Sequence, residues 1–224
     1  METCNITLRT KISAACAKET SRYAINGYCA IAAPTEADPN AGFVYATDGR
    51  MLAIAPAEVA GKPITPPMPD GSPTFGIIPG ETGGRVGNLV TLNGTIQCRT
   101  PGRAGKTTVH DPVEGSFPPV SDVLPKPDAE TRWIGISADL LRKLADAIDA
   151  GQDGKGWVAL GIKAPNKPMC VMSLDGSSSE GTLGEGFGVL MPIYLGEGNT
   201  DESLSAEYRA RTDRFTAAHD AAKA

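Results

Sequence analysis

The chain has 224 residues, which is enough for one large domain or two small ones with an ordinary buried core. Its formal net charge of -5 argues against non-specific nucleic-acid binding by the whole surface, but leaves room for a local basic stripe. The 26 glycines and 18 prolines favour many turns between short strands.

Cysteine and histidine usage indicates a reducing compartment and no metal site. The five cysteines are widely scattered without a CxxC pair, and the 2 histidines, His110 and His219, do not complete a zinc ligand set. No run of about 18 apolar residues occurs, and the N-terminus lacks a basic region followed by an apolar one. We therefore expect reduced, mostly buried thiols in a cytoplasmic protein that is neither exported nor membrane-spanning.

The opening residues predict a strand, a helix and three further strands. Residues 4–9 form the first strand, and Thr10 can cap a helix that runs to about Arg22. The three further strands are predicted at 22–31, 43–46 and 51–54. Asp48-Gly49, between the last two, is a strong turn signal. A surface loop rich in proline and glycine follows at 56–73.

The middle of the chain predicts strands without a helix. These strands are expected at 75–78, 88–92, 95–99 and 107–110. The glycine-rich segment 79–84 between them cannot be a helix. The string Gly102 to Thr107 resembles a phosphate-binding P-loop, but the first glycine of such a loop would have to stand at Thr100. A β-like segment rather than a helix follows, so we predict a hairpin loop here.

Residues 131–195 repeat the opening order of elements after a proline-rich connector at 117–127. A strand at 132–136 meets Ser137 as an N-cap, and the helix runs to about Ala150 with Gly151 as its stop signal. Further strands are predicted at 157–162, 169–174 and 187–193. In the tail, Leu204, Tyr208 and Phe215 lie on a loose helical stripe, which predicts a frayed, partly helical extension.

No group of residues supports catalysis. Neither histidine lies in a Ser/His/Asp or Cys/His context, and the carboxylates Asp146 and Asp149 fall on the expected solvent side of a helix. We expect no catalytic residue, no metal and no cofactor, and therefore a protein that is not an enzyme.

Four segments, in order, resemble the motifs of the bacterial DNA polymerase III β sliding clamp family. The segment 43–53, which contains Thr47-Asp48-Gly49-Arg50-Met51-Leu52-Ala53, resembles that family's ATDGHRLA turn. The connector 117–125 resembles its FPxYRRVLP string, and Val189-Leu190-Met191-Pro192-Ile193 resembles its VxMPM string. A weaker match, the segment 22–27, is similar to RYYLNG. Two departures stand out: Arg50-Met51 replaces a His-Arg pair, and Ser121-Asp122 replaces an Arg-Arg pair.

The resemblance implies an α+β, DNA-clamp-like fold of repeated strand-helix-three-strand units with curved antiparallel sheets. Residues 1–125 would be a clamp-like domain whose second repeat lacks its helix. Residues 126–196 would be a clamp-like half-domain, and residues 197–224 a partly helical tail. In that family the helices line the inner channel of a ring, and the sheets form its outside.

The family's motifs meet at a hydrophobic pocket that binds short peptides. Carried over residue by residue, the resemblance implies a peptide-binding pocket made of Thr47, Gly49, Arg50, Leu52, Pro118, Val123, Val189, Met191, Pro192 and Ile193. The candidates for DNA binding are the basic residues on or beside the two predicted helices: Lys11, Lys18, Arg22, Arg142 and Lys143. Contacts from such residues are directed at phosphates and carry no base specificity.

These observations predict a clamp-like replication accessory (processivity) protein of a phage or mobile element. It would bind clamp-interaction peptides of a polymerase or loader and, as a homo-oligomer, surround double-stranded DNA. Two alternatives stay open, namely a non-ring clamp relative that acts as a protein-binding adaptor or decoy, and a structural assembly protein. Helix charge discriminates between them, because the helix 137–150 carries three aspartates against two basic residues, which is poor for a DNA channel.

Overall fold

The computed structural model describes residues 3–18, 23–61, 77–93, 95–102, 105–113, 115, 117–118, 120, 123–148, 157–175, 182–196 and 198–223. The chain divides into two compact units. Unit 1 comprises Met1–Pro125 together with Ala210–Ala224, and unit 2 comprises Lys126–Arg209. Each unit combines helix with antiparallel sheet, so the chain is an α+β protein.

Unit 1 is built on an antiparallel sheet of eight strands among the described residues. In chain order these are β1 Cys4–Leu8, β2 Gly27–Ala32, β3 Ala41–Thr47, β4 Leu52–Ala60, β5 Ile78–Pro79, β6 Leu89–Leu92, β7 Ile96–Arg99 and β8 Thr107–His110. Across the sheet their order is β5-β2-β3-β4-β1-β6-β7-β8. The short apolar runs and the turn residues between them predict most of these strands, because both signals are local in sequence.

The central strands of this sheet are buried on both faces. Successive side chains of a strand point to opposite faces, and those of β2 and β3 alternate between two cores. The first core includes Ile6, Tyr28 and Val44. The second core comprises Cys29, Ile31, Tyr45, Ile77, Val120 and Phe215. A nearly continuous apolar run such as 28–32 is typical of a strand that is covered on both sides.

The helix predicted from Thr10 to Arg22 is wrong as far as the chain is described. Only a 3₁₀ turn, Ile12–Ala15, forms there, and Cys16 is already extended at φ -82° and ψ 144°. The Ala17 amide then donates to the Ile25 carbonyl at 2.8 Å. A tertiary hydrogen bond therefore replaces the next helical one, which overrides the weak local helix propensity. Residues 19–22 of the predicted helix lie outside the described residues.

Three further segments of unit 1 differ from the sequence prediction. A 3₁₀ turn, Tyr23–Asn26, precedes β2, and another, Gly80–Gly83, occupies a segment predicted to lack any helix. The second turn is held from outside, because the Tyr28 and Thr82 hydroxyls are hydrogen-bonded at 2.9 Å. β4 continues to Ala60 through the start of the predicted loop. Its Pro56 pairs with β3 just beyond the residues that β4 pairs with β1, so the ladder to β1 keeps all of its hydrogen bonds.

The P-loop-like string lies in a hairpin, as predicted. Arg99 of β7 pairs with Thr107 of β8, and the Thr100 amide donates to the Lys106 carbonyl at 3.1 Å. A strand, and not a helix, follows Lys106. The amide array with which a P-loop helix faces a phosphate is therefore not built by this segment.

Unit 2 packs one helix on a three-stranded antiparallel sheet. The helix is α1, Ala138–Ala147, and the strands are β9 Trp157–Gly161, β10 Met169–Asp175 and β11 Thr182–Leu190, in the order β11-β10-β9. Ser137 caps α1 as predicted, since its Oγ accepts from the Leu140 amide at 3.3 Å. The strand predicted at 132–136 is reduced to a single bridge between Gly135 and Ile193.

The tail forms one continuous helix, α2, Asp201–Lys223. The sequence predicts a frayed extension, but both ends of this helix are packed. In unit 2, Asp201 Oδ1 accepts from the Trp133 amide, and Ser205 Oγ accepts from the Trp133 indole, both at 2.9 Å. In unit 1, the Phe215 side chain is only 1% exposed. Packing of an apolar stripe, rather than propensity, stabilises such a helix.

Candidate functional site

The turn between β3 and β4 is held by hydrogen bonds from side chains to the backbone. Thr47 Oγ1 donates to the Met51 carbonyl at 2.6 Å and accepts from the Gly49 amide at 3.0 Å. Asp48 Oδ1 accepts from the amides of Arg50 at 2.8 Å and Met51 at 2.9 Å. Gly49 has a φ of 87°, which glycine adopts at no steric cost. The local sequence thus builds a fixed turn that exposes Gly49 and Arg50.

Asp48 is the carboxylate of this turn, and its titration reports on the turn. Hydrogen bonds from the amides of Arg50 and Met51 lower the pKa of Asp48 from its ordinary value. The folded turn therefore favours the charged form. Its stabilising contribution is present above the unfolded pKa of about 3.9 and disappears as the pH falls through the lowered value.

An NMR titration of side-chain carboxyl resonances checks this. We expect the Asp48 resonance to titrate below about pH 3.9, and the amide shifts of Arg50 and Met51 to change with the same midpoint. Asp48→Asn removes the resonance and so assigns it. A midpoint at or above the ordinary value would mean that the two amide hydrogen bonds do not persist in solution.

Leu52 connects this turn to the proline-rich connector. It begins β4, is half-buried and packs against the second core, which contains Tyr45 and Val120. Phe117 and Leu124 of the connector pack against the same core, and the rings of Tyr45 and Phe117 meet edge to face at 5.3 Å. Two of the clamp-like motifs, far apart in the sequence, therefore meet within unit 1.

The other pocket residues predicted in unit 1 differ in exposure. Thr47 is buried, Gly49, Arg50 and Pro118 are exposed, and the Val123 side chain is 66% exposed. Ser121 and Asp122, the substituted pair of the connector motif, lie outside the described residues. Unit 1 thus presents a surface with an apolar floor at Leu52 and an exposed rim.

The pocket residues predicted in unit 2 follow one another at the end of β11. Val189 is 62% exposed, Met191 58% and Ile193 49%. The Ile193 amide donates to the Gly135 carbonyl at 2.9 Å, which fixes the segment around Pro192. The ten predicted pocket residues therefore form two sets, six residues in unit 1 and four in unit 2.

The second half of α2 packs on the same side of the unit-1 sheet as Leu52. The Phe215 ring meets Phe43 at 5.8 Å and Tyr45 at 5.3 Å, both edge to face. His219, 4% exposed, stacks on Phe215 with the ring centres 5.7 Å apart. The Arg214 guanidinium lies over the Phe43 ring at 5.1 Å. The chain's own helix therefore adjoins the motif residues of unit 1.

This aromatic contact is not predicted by the sequence, although a signal for it exists. The run Phe43-Val44-Tyr45-Ala46 is apolar at every position, whereas a strand with one solvated face alternates. It therefore requires a cover on each face of the sheet. The stripe through Phe215 is recognisable as helical, but nothing local connects it to β3.

The basic candidates are not equivalent. Lys11 and Lys18 are exposed beside the first 3₁₀ turn, and Arg22 lies outside the described residues. On α1, Arg142 and Lys143 both pair with Asp139, at 2.8 Å and 2.7 Å. Because Asp139 offsets part of their charge, α1 offers a phosphate little attraction.

The described residues hold little else that could support chemistry. Four of the five cysteines are buried, as expected, and burial raises the pKa of Cys4 and Cys16 to about 11 and that of Cys29 to about 12. Cys170 is exposed. His110 joins Thr108 and Glu81 through two hydrogen bonds of 2.6 Å, which fasten β8 to the turn Gly80–Gly83.

Metal ligands are not clustered in the part of the chain that the structure describes. Within those ranges, no three His, Cys, Asp or Glu side chains are grouped to hold a metal ion. No helix among the same residues has the length and apolar character needed to cross a membrane.

Comparison with known proteins identifies the fold. No protein-family model matches the chain, and no curated protein matches it. Among solved structures, the DNA polymerase sliding clamp from Caulobacter crescentus aligns with 84% of this chain, at 18% identity and a TM-score of 0.50. The fold is that of a bacterial DNA sliding clamp. The predicted clamp-like α+β architecture is thereby confirmed.

A second structure matches over the same share of the chain. The DNA polymerase III subunit beta from Pseudomonas aeruginosa aligns with 84% of it, at 18% identity and a TM-score of 0.48. The chain spans about half the length of the clamps that it matches, 47% of the first and 48% of the second. It therefore has the clamp fold over about half the extent of those clamps.

Proposed function

We propose that the chain is a clamp-like accessory protein of DNA replication, a scaffold rather than an enzyme. It binds short peptides of replication proteins such as a polymerase or a loader. The observation that carries this proposal is the meeting of two motif segments, at Leu52 and at Phe117 and Leu124, inside a clamp fold. A processivity role in the cytoplasm, as a homo-oligomer around DNA, is the full form of the proposal.

The exposure of the motif residues supports peptide binding. Val123, Val189, Met191 and Ile193 are apolar, and each is at least 49% exposed. Burying such side chains against a peptide removes apolar area from water, which gains about 25 cal/mol for each Å² buried. Methionine adapts its shape to different side chains, so a surface of this kind accepts short linear peptides from several partners.

Met191→Asp tests peptide binding. In a fluorescence titration with a synthetic clamp-binding peptide, we expect this variant to bind at least about tenfold more weakly, because a charge replaces an apolar contact. Val86→Asp is the matched control, since Val86 is 54% exposed and lies outside the predicted pocket. Equal binding by the wild type and Met191→Asp would remove Met191 from the site. A wild type that does not bind would refute the peptide-binding function.

Binding to DNA is expected to be weak and directed at phosphates. Replacing Lys11 and Lys18 together by alanine should reduce the slope of log affinity against log salt by roughly one unit for each phosphate that is no longer neutralised. Replacing Arg142 and Lys143 should change the slope less, because Asp139 already pairs with both. Anisotropy titrations of a labelled duplex at several salt concentrations provide the measurement. A larger effect from the α1 pair would contradict this order.

The pairing of the α1 basic residues also favours a second candidate function. A clamp relative that binds proteins without surrounding DNA needs no positive channel, and α1 does not provide one. Wild-type protein that binds the peptide but shows no salt-dependent affinity for duplex DNA would support this adaptor or decoy over the DNA-surrounding form.

A further inference from the structure

The unit-2 sheet has two faces of different character. One face packs on α1 through Met169, Val171 and Leu190, which are at most 4% exposed. Successive side chains alternate, so their neighbours in the strands lie on the opposite side. We name that side the outer face. Its described members include Trp157, Ala159, Cys170, Met172, Phe187 and Val189.

The outer face is apolar and open. Phe187 is 79% exposed, Val189 62%, Trp157 44% and Met172 37%. None of the six residues that define the face carries a charge. Monomeric soluble proteins seldom leave a contiguous apolar patch of this kind uncovered, and when they do it marks an interaction site. In unit 1, by contrast, α2 covers Phe43 and Tyr45 with Phe215.

We infer that the outer face is where two copies of this chain pack sheet on sheet. A two-fold contact sets one face against itself, so any charge on it meets a like charge across the interface. The absence of charge among the six residues removes that cost. This contact between copies does not depend on whether the chain binds peptides or DNA.

The strand register makes the face complementary to itself. One row across the sheet is Ala159, Met172 and Phe187, and the next is Gly161, Cys170 and Val189. In both rows the small residue lies on β9 and the large one on β11. A two-fold axis parallel to β10 places β11 of one copy over β9 of the other. Phe187 then lies over Ala159, and large side chains meet small ones, as in a well-packed interior.

The size of the face sets the expected strength. A stable interface buries about 800 Å² on each partner, and a face of three short strands is smaller than that. We therefore expect a reversible dimer whose population rises over the micromolar range of protein concentration.

Sedimentation of the full chain over that range tests the dimer. The wild type should shift from monomer to dimer, and Phe187→Glu should remain monomeric. Val109→Glu, at a position 67% exposed in unit 1, should sediment as the wild type does. A wild type that is monomeric throughout, or a Phe187→Glu variant that dimerises like it, would overturn the inference.

A pair of variants tests the orientation of the two sheets. Ala159→Lys should also be monomeric alone, because it places a lysine against Phe187 of the second copy. Mixing it with Phe187→Glu should restore the dimer, since the new glutamate then faces the new lysine. A mixture that stays monomeric, although the wild type dimerises through Phe187, would overturn the axis parallel to β10.

Cys170 gives an independent readout of the same surface. It lies on β10 within the outer face, and the other four cysteines are buried. Its rate of alkylation should fall as wild-type concentration rises, and it should not fall in Phe187→Glu. A rate that is independent of concentration while the wild type dimerises would place the contact on a different surface.

Discussion

Replacing Phe215 by alanine is expected to lower the free energy of unfolding by about 3 to 5 kcal/mol. The ring is 1% exposed and lies edge to face with Phe43 and Tyr45. Truncation removes its apolar burial, leaves a cavity on β3 and ends the two aromatic contacts, each worth about 1 kcal/mol. Urea denaturation followed by far-ultraviolet circular dichroism measures the decrease.

Two variants of the same helix serve as controls. Phe215→Leu keeps most of the volume and should cost less than the alanine variant. Asp213→Ala changes an exposed position two residues away and should alter stability by no more than about 0.5 kcal/mol. If Phe215→Ala behaved like Asp213→Ala, the second half of α2 would not be packed on β3 in solution.

Replacing Gly186 by alanine should destabilise unit 2 by about 1 to 3 kcal/mol. An added methyl group would overlap the Ile148 carbonyl oxygen at the end of α1, and backbone cannot move aside as a flexible side chain can. The strand is also fixed in place, because Ser173 Oγ donates to the Gly186 carbonyl and accepts from its amide, both at 3.1 Å. Either α1 or β11 must shift.

Tryptophan fluorescence is the appropriate measurement, because both tryptophans of the chain, Trp133 and Trp157, lie in unit 2. Gly161→Ala on the neighbouring strand is the matched control. Its methyl group would lie 3.4 Å from Cys170 Cβ, an ordinary contact. Equal midpoints in urea for the two variants would show that the end of α1 does not lie this close to β11 in solution.

The elements that the sequence predicts correctly depend on neighbouring residues. The Asp48-Gly49 turn needs only a left-handed glycine and a carboxylate that accepts two nearby amides. Ser137 caps α1 through an amide three residues further on. The hairpin after Arg99 follows from apolar runs on either side of a glycine-containing loop. Such signals need no knowledge of the rest of the chain.

The candidate site was predictable only in part. Motif resemblance identified the segments around Leu52 and the connector, and their meeting in the second core could not be derived from either segment alone. Charge patterning indicated that α1 is a poor DNA surface, and the pairs of Asp139 with Arg142 and Lys143 give the physical cause. The outer face was not recognised, because alternation shows that two faces exist without showing which one is covered.

The sequence by itself determined the antiparallel strands, their turns, the capped helix α1 and the likeness to clamp motifs. Tertiary structure alone decided that the residues after Thr10 form a 3₁₀ turn, because the Ala17 amide bonds to Ile25 instead of continuing a helix. It also decided that the tail is a packed helix, because Phe215 finds its aromatic partners on β3, at the opposite end of the chain. Short-range preferences are worth tenths of a kcal/mol per residue, whereas burying one large side chain is worth about 1.5 to 3 kcal/mol, so packing prevails wherever the two disagree.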